Sequence, residues 1–226
     1  QVEKSVVIFT SIAHYYGQRT VDADAFRTEL GLPPNKPVYF ESVLSGTMLE
    51  LLVDEGERKW RTRHPLIAER CLEYILGDEG VSWKYRLSEW TKRFIGFCRG
   101  TSPVYSDSGL ELVFQTIISR ETSSDIESEN KGARTVVSRL LDDIASRESR
   151  LQVLNYLVEV YPDEAHFWAH LGRFQSYVMK DYPGALEALG VAIELNDKDS
   201  SLHHMKGMVY RPVSYTHLRA HETKAN

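Results

Sequence analysis

The side chains best placed to do chemistry lie in residues 60–76, WRTRHPLIAERCLEYIL. A basic run ends at His64 and Pro65. An amphipathic helix is predicted to follow, with Leu66, Ile67, Cys71, Leu72, Ile75 and Leu76 on its apolar side. Pro65 suits the first helical position, because the N–H it lacks has no partner there anyway. The free N–H groups and positive dipole end of the helix then lie beside Arg61, Arg63 and His64, a setting suited to phosphate or another anion. His64 and Arg63 are therefore the candidate ligand-contacting residues. The same spacing also describes an ordinary helix start capped by a histidine.

Other chemical signals are weaker. No P-loop string occurs, and Ser, His and Asp residues are not set in any nucleophile motif, so no catalytic residue is assigned. VVSRLLDD, residues 136–143, has the apolar run and acidic pair of a magnesium-holding strand but fits a helix face equally well. His166 and His170 stand one helical turn apart with no third ligand near in sequence, so no metal site is assigned. Arg58, Lys59 and Arg61 could form a basic wing touching DNA phosphates. A net charge of −5 argues against strong nonspecific nucleic-acid binding.

These residues need a scaffold, and the chain has room for one or two domains in 226 residues of ordinary globular composition, 42% hydrophobic and 26% charged. Cys71 falls on a buried helix side, so the pair Cys71 and Cys98 does not suggest a disulfide framework, and a reducing, cytoplasmic setting is expected. No apolar run is long enough for a bilayer and no signal peptide is recognisable, so no membrane partner is expected. The chain starts at Gln1 and enters an apolar helix at once, as a piece of something longer would. PVSYTHLRAHET, residues 212–223, back-translates to a sequencing-library adapter. Residues 212–226 are therefore expected to be an artefactual tail, and its His217 and His221 are discarded as ligands.

The expected fold is mainly α. Residues 5–16 are apolar nearly all round, Gly17 ends that helix, Asp22 caps a short one, and residues 31–34, GLPP, break the chain. Extended runs at 49–53 and 58–63 around Gly56 read as a β-hairpin. Helices followed by this hairpin make a winged-helix-like domain with a β-hairpin wing. With the helices predicted near 81–98 and 110–119, it occupies residues 1–120. Residues 121–132, ETSSDIESENKG, read as an acidic loop or linker, and 133–211 as helical hairpins.

AHFWAHLGRF and KDYPGALEALGVAIEL resemble a tetratricopeptide (TPR) repeat. Trp168, Leu171 and Gly172 match its first helix, and Tyr182, Ala185, Leu189 and Ala192 its second. Gly207 recurs about one repeat length after Gly172. His203 and Lys206 stand where the tryptophan and leucine would recur. The resemblance implies an α-helical TPR-like array offering a surface to a protein or peptide ligand. The whole order, winged helix, His64 and then repeats, resembles the STAND class of regulatory ATPases, which includes NLR-type receptors and antiphage relatives. In that class a winged-helix histidine, within a Met-His-Asp motif, contacts the phosphates of bound ADP. Arg63 and Pro65 replace the flanking Met and Asp here. The resemblance implies a non-catalytic sensor portion sharing ADP or ATP with an upstream nucleotide-binding domain. A TPR scaffold without nucleotide and a winged-helix DNA-binding regulator are the alternatives.

Overall fold

An uninterrupted apolar helix has no face to offer water, and α1 (Val2–Gly17) is accordingly buried at every residue from Val6 through Tyr16. In the computed structural model, which describes residues 2–100, 106–118 and 138–210, α1 is the axis of the first of two units, residues 1–146. The second comprises residues 147–226. The expected acidic linker at 121–132, Val136 and Val137, and the tail at 212–226 lie outside the described residues. The fold is mainly helical with one small antiparallel sheet.

In the first unit, α1 is followed by β1 (Val21–Asp22) and a 3-10 turn, Ala23–Arg27, capped by Asp22, whose carboxylate accepts from Asp24 N–H. Short helices α2 (Phe40–Val43) and α3 (Gly46–Leu49) lead into β2 (Leu52–Asp54) and β3 (Lys59–Thr62). The strand order is β1-β3-β2, so β3 is the central strand. Val21 pairs with Trp60, and Val53 with Arg61. The hairpin expected around Gly56 is present, and β1, which the sequence reading missed, adds its third strand. Its turn holds Gly56, Glu57 and Arg58 all at positive φ. Arg58 is a costly residue in that region. Its conformation is held from outside, because Arg58 Nη2 meets the buried Asp24 carboxylate at 2.9 Å. Asp24 also binds Arg27 at 2.9 Å and accepts from Val38 N–H at 2.8 Å.

α4 (Pro65–Leu76) and α5 (Lys84–Gly100) complete the core with Phe9, Phe26, Phe40, Phe94 and Phe97, whose rings meet edge-on or tilted except for the stacked pair Phe9–Phe26. α6 (Ser106–Val113) runs on into a π-helical turn, Phe114–Ile118. Cys71 and Cys98 are buried and not joined, and burial pushes both thiols up. No described helix is long and apolar enough to cross a membrane.

Two expectations are corrected. Leu66 is 63% exposed rather than part of the apolar side of α4. The buried stripe is Ala68, Cys71, Leu72 and Leu76, and Leu66 sits about 200° around the helix from Ala68. Residues 138–146, expected to group with the helical hairpins of 133–211, fall in the first unit. There α7 (Arg139–Asp143) is held by α1 and α5. Tyr16 donates to Asp143 at 3.0 Å, Lys84 reaches the same carboxylate at 2.6 Å, and the Arg139 guanidinium covers the Tyr15 ring at 4.2 Å. Burial, then the charge of Asp143, pushes the Tyr16 phenol up, so it stays a donor.

The described residues of the second unit form a run of helices: α8 (Arg147–Val160), α9 (Ala165–Phe174) with a π-helical extension at Gln175–Met179, α10 (Tyr182–Leu195), and α11 over residues 200–210. Ala185, Ala188, Leu189 and Ala192 are buried along α10. A Cβ on Gly172 would meet Leu189 Cγ at 2.8 Å and the Ala185 carbonyl oxygen at 3.1 Å. The absence of a side chain at 172 therefore sets how closely α9 and α10 approach. A Cβ on Gly207 would meet nothing within 4 Å. Gly172→Ala should lower stability by about 1–3 kcal/mol through overpacking. Gly207→Ala, in an open helical position, should raise it by about 0.5–1 kcal/mol. Urea unfolding followed by circular dichroism checks both signs.

Candidate functional site at the strand-to-helix junction

β3 ends at Thr62 and α4 begins at Pro65, so the chain turns within two residues. Along β3 the side chains alternate: Trp60 and Thr62 are buried, Lys59 is exposed and Arg61 half-exposed. His64 is the N-cap, in extended conformation at φ −153° and ψ 149°. It closes the helix mouth alone. Its carbonyl accepts from Ile67 N–H at 2.9 Å and Ala68 N–H at 3.1 Å. Its Nδ1 accepts from Leu66 N–H at 3.2 Å, and Pro65 has no N–H to give. The sequence reading placed free N–H groups here for an anion. They are already taken, by the histidine itself.

What the junction does offer is side chains. His64 and Arg63 are both exposed. With Nδ1 accepting, the neutral imidazole carries its hydrogen on Nε2, and no described residue partners that nitrogen. Arg63 donates through Nε to the Glu50 carbonyl at 2.6 Å, which fixes the guanidinium while its two Nη groups have no partner among the described residues. Arg61 does not join them, because its Nη2 meets Glu55 at 2.5 Å. The other basic residues of the hairpin are likewise engaged: Arg58 with Asp24, and Lys59 with Glu57 at 3.5 Å.

Behind the exposed pair lies a residue the sequence reading passed over. His14 of α1 is 6% exposed, and its Nδ1 is hydrogen-bonded to Thr62 Oγ1. Thr62 Oγ1 in turn donates to the His64 carbonyl at 3.2 Å. An apolar helix carrying a histidine opposite a strand threonine was the only hint, and no local spacing connects positions 48 residues apart.

The residues that carry the TPR resemblance lie in the second unit. Leu171, Gly172, Ala185, Leu189 and Ala192 are buried, while Trp168 and Tyr182 are half-buried. Trp168 Nε1 donates to the Pro162 carbonyl at 2.8 Å. Ala169, Ala192 and Leu202 cluster with Trp168 and Met205. Gly207 is exposed and makes no close approach. Sequence reasoning missed Gly184, where a Cβ would lie 2.5 Å from Asp181 Oδ2; Asp181 is the N-cap of α10 and accepts from Gly184 N–H at 3.1 Å. Among the described residues no group of His, Cys, Asp and Glu could hold a metal ion.

Burial, then the nearby charges of Arg61 and His64, hold the His14 imidazole below its ordinary 6.5, with Glu55 opposing. The unfolded chain therefore takes up a proton at this residue more readily than the folded one. The contribution is intact above pH 6.5 and is lost as pH falls through the lowered folded value. The urea midpoint should thus fall from about pH 7.5 to about pH 5, and His14→Gln should flatten that slope. An unchanged slope in the variant would contradict the assignment. His64→Ala should cost about 0.5–2 kcal/mol through the lost cap, read from the same denaturation curves.

Comparison with known proteins finds no family model, no curated protein and no solved structure that matches this chain.

Proposed function

We propose that this chain is the regulatory portion of a STAND-class NTPase: a winged-helix-like unit that contacts nucleotide phosphates held by an upstream domain, followed by TPR-like repeats that recognise a protein or peptide. The observation that carries the reading is a pair of exposed side chains where the strand meets the helix: His64, whose Nδ1 is taken by Leu66 N–H and whose Nε2 has no partner among the described residues, and Arg63, whose Nε is bound to the Glu50 carbonyl. Exposed hydrogen-bond donors such as these suit the oxygens of a phosphate. The order helix, short strand, short helices and hairpin, with β3 between β1 and β2, supports the winged-helix reading. The close α9–α10 approach at Gly172 supports the TPR-like one.

On this reading the chain is not itself the catalyst. The ATPase chemistry and most of the ADP or ATP contacts belong to the upstream domain. His64 favours the ADP-bound, resting form, and a ligand on the repeats activates only by binding the two forms unequally. The DNA-binding reading is less well supported, because Arg58, Lys59 and Arg61 are each paired with a carboxylate. A scaffold without nucleotide would keep the repeats and leave His64 as a cap only.

In the complete parent protein, His64→Ala should speed ADP release and raise basal activation. Losing one charge-assisted hydrogen bond corresponds to about tenfold in ADP retention. Unchanged ADP retention together with unchanged basal activity would reject the proposal.

A further inference from the structure

We infer that His14 is a positioning residue that, through Thr62, locks the tautomer of His64, so that the exposed edge of His64 is always a hydrogen-bond donor. The protons available along this line decide both tautomers. A carbonyl oxygen can only accept, so the 3.2 Å contact from Thr62 Oγ1 to the His64 carbonyl uses the single hydroxyl proton of Thr62. Thr62 Oγ1 can then only accept from His14, whose Nδ1 must carry the hydrogen. Beyond the turn, Leu66 N–H donates to His64 Nδ1. That nitrogen is bare and the hydrogen sits on Nε2. The two imidazoles hold opposite tautomers, with Thr62 between them.

The line acts on the cap through the backbone. His14 orients the hydroxyl, and the hydroxyl holds the His64 carbonyl. That carbonyl gathers the Ile67 and Ala68 N–H groups, which sets the first turn of α4 and aims Leu66 N–H at the imidazole. The charged and titratable groups facing His14 are Arg61 on β3, His64 at the helix mouth and Glu55 in the hairpin turn. Arg61 and Glu55 are bound to each other, and Thr62 Oγ1 is the atom bonded both to His14 and to the His64 carbonyl. In the other tautomer His64 would lose its cap and turn a lone pair outward, toward any incoming anion.

This inference rests on the phosphate-facing reading only for its consequence, and the test separates the two. Long-range proton–nitrogen NMR on the full chain, with labelled histidine at about pH 7.5, reports which ring nitrogen carries hydrogen. The expected result is Nδ1–H at His14 and Nε2–H at His64. Thr62→Val, which keeps the shape and removes the hydroxyl, should leave His64 a mixture of tautomers, as should His14→Phe. Thr62→Ser should preserve the wild-type pattern. Hydrogen on Nε2 of His14 in the wild type would overturn the inference, whatever the variants do. So would a His64 tautomer unaffected by Thr62→Val. Titration with inorganic phosphate, followed on the His64 signals, should be about threefold weaker in Thr62→Val if the donor form falls to about a third. Wild-type tautomers as stated with no phosphate response would reject the phosphate reading and leave the relay standing.

Discussion

A strand that runs straight into a helix meets a fixed demand: the first N–H groups of the helix need partners at once. Here one residue answers it. The His64 carbonyl takes the Ile67 and Ala68 N–H groups, its ring takes that of Leu66, and Pro65 has none. The central strand of the sheet can therefore lead directly into α4, which lies against α1. Everything proposed about the exposed edge of His64 depends on this closure, because the closure fixes which edge is exposed. It also changes the kind of anion site involved. A helix mouth with open N–H groups would bind phosphate through its backbone. This one is sealed, and only the Nε2 edge and the Arg63 guanidinium remain.

The β2–β3 hairpin is fastened in a matching way. Asp24 is buried with two arginines and a backbone N–H on its carboxylate. A buried carboxylate left without such partners would cost several kcal/mol. One of those arginines is Arg58, at positive φ in the hairpin turn, so the same interaction tethers the turn. Burial and pairing together turn a run that looks basic in sequence into one in which most charges are answered.

Patterns confined to a single element were legible in the sequence. The apolar continuity of residues 5–16 predicts a helix buried all round, Gly56 between extended runs predicts the hairpin, and Pro65 after His64 predicts the helix start. What was not legible depends on distant partners. Nothing near Asp24 announces Arg58 or Val38, and nothing near His14 announces Thr62. β1 is only two residues long and exists because β3 is there to pair with. α7 carries an apolar helix face like those of the repeats, yet Asp143 and Arg139 bind α1 and α5. Its place is decided by a carboxylate and a guanidinium rather than by periodicity. Leu66 shows the reverse error, where apolar character was read as burial although its angle on the helix turns it outward.

The most direct measurement is a structure of the complete parent protein with ADP bound, read at one distance. The account predicts His64 Nε2 within about 3 Å of a phosphate oxygen, with Nδ1 still accepting from Leu66 N–H. A bound nucleotide whose phosphates lie away from α4, with the His64 edge open to water, would contradict it.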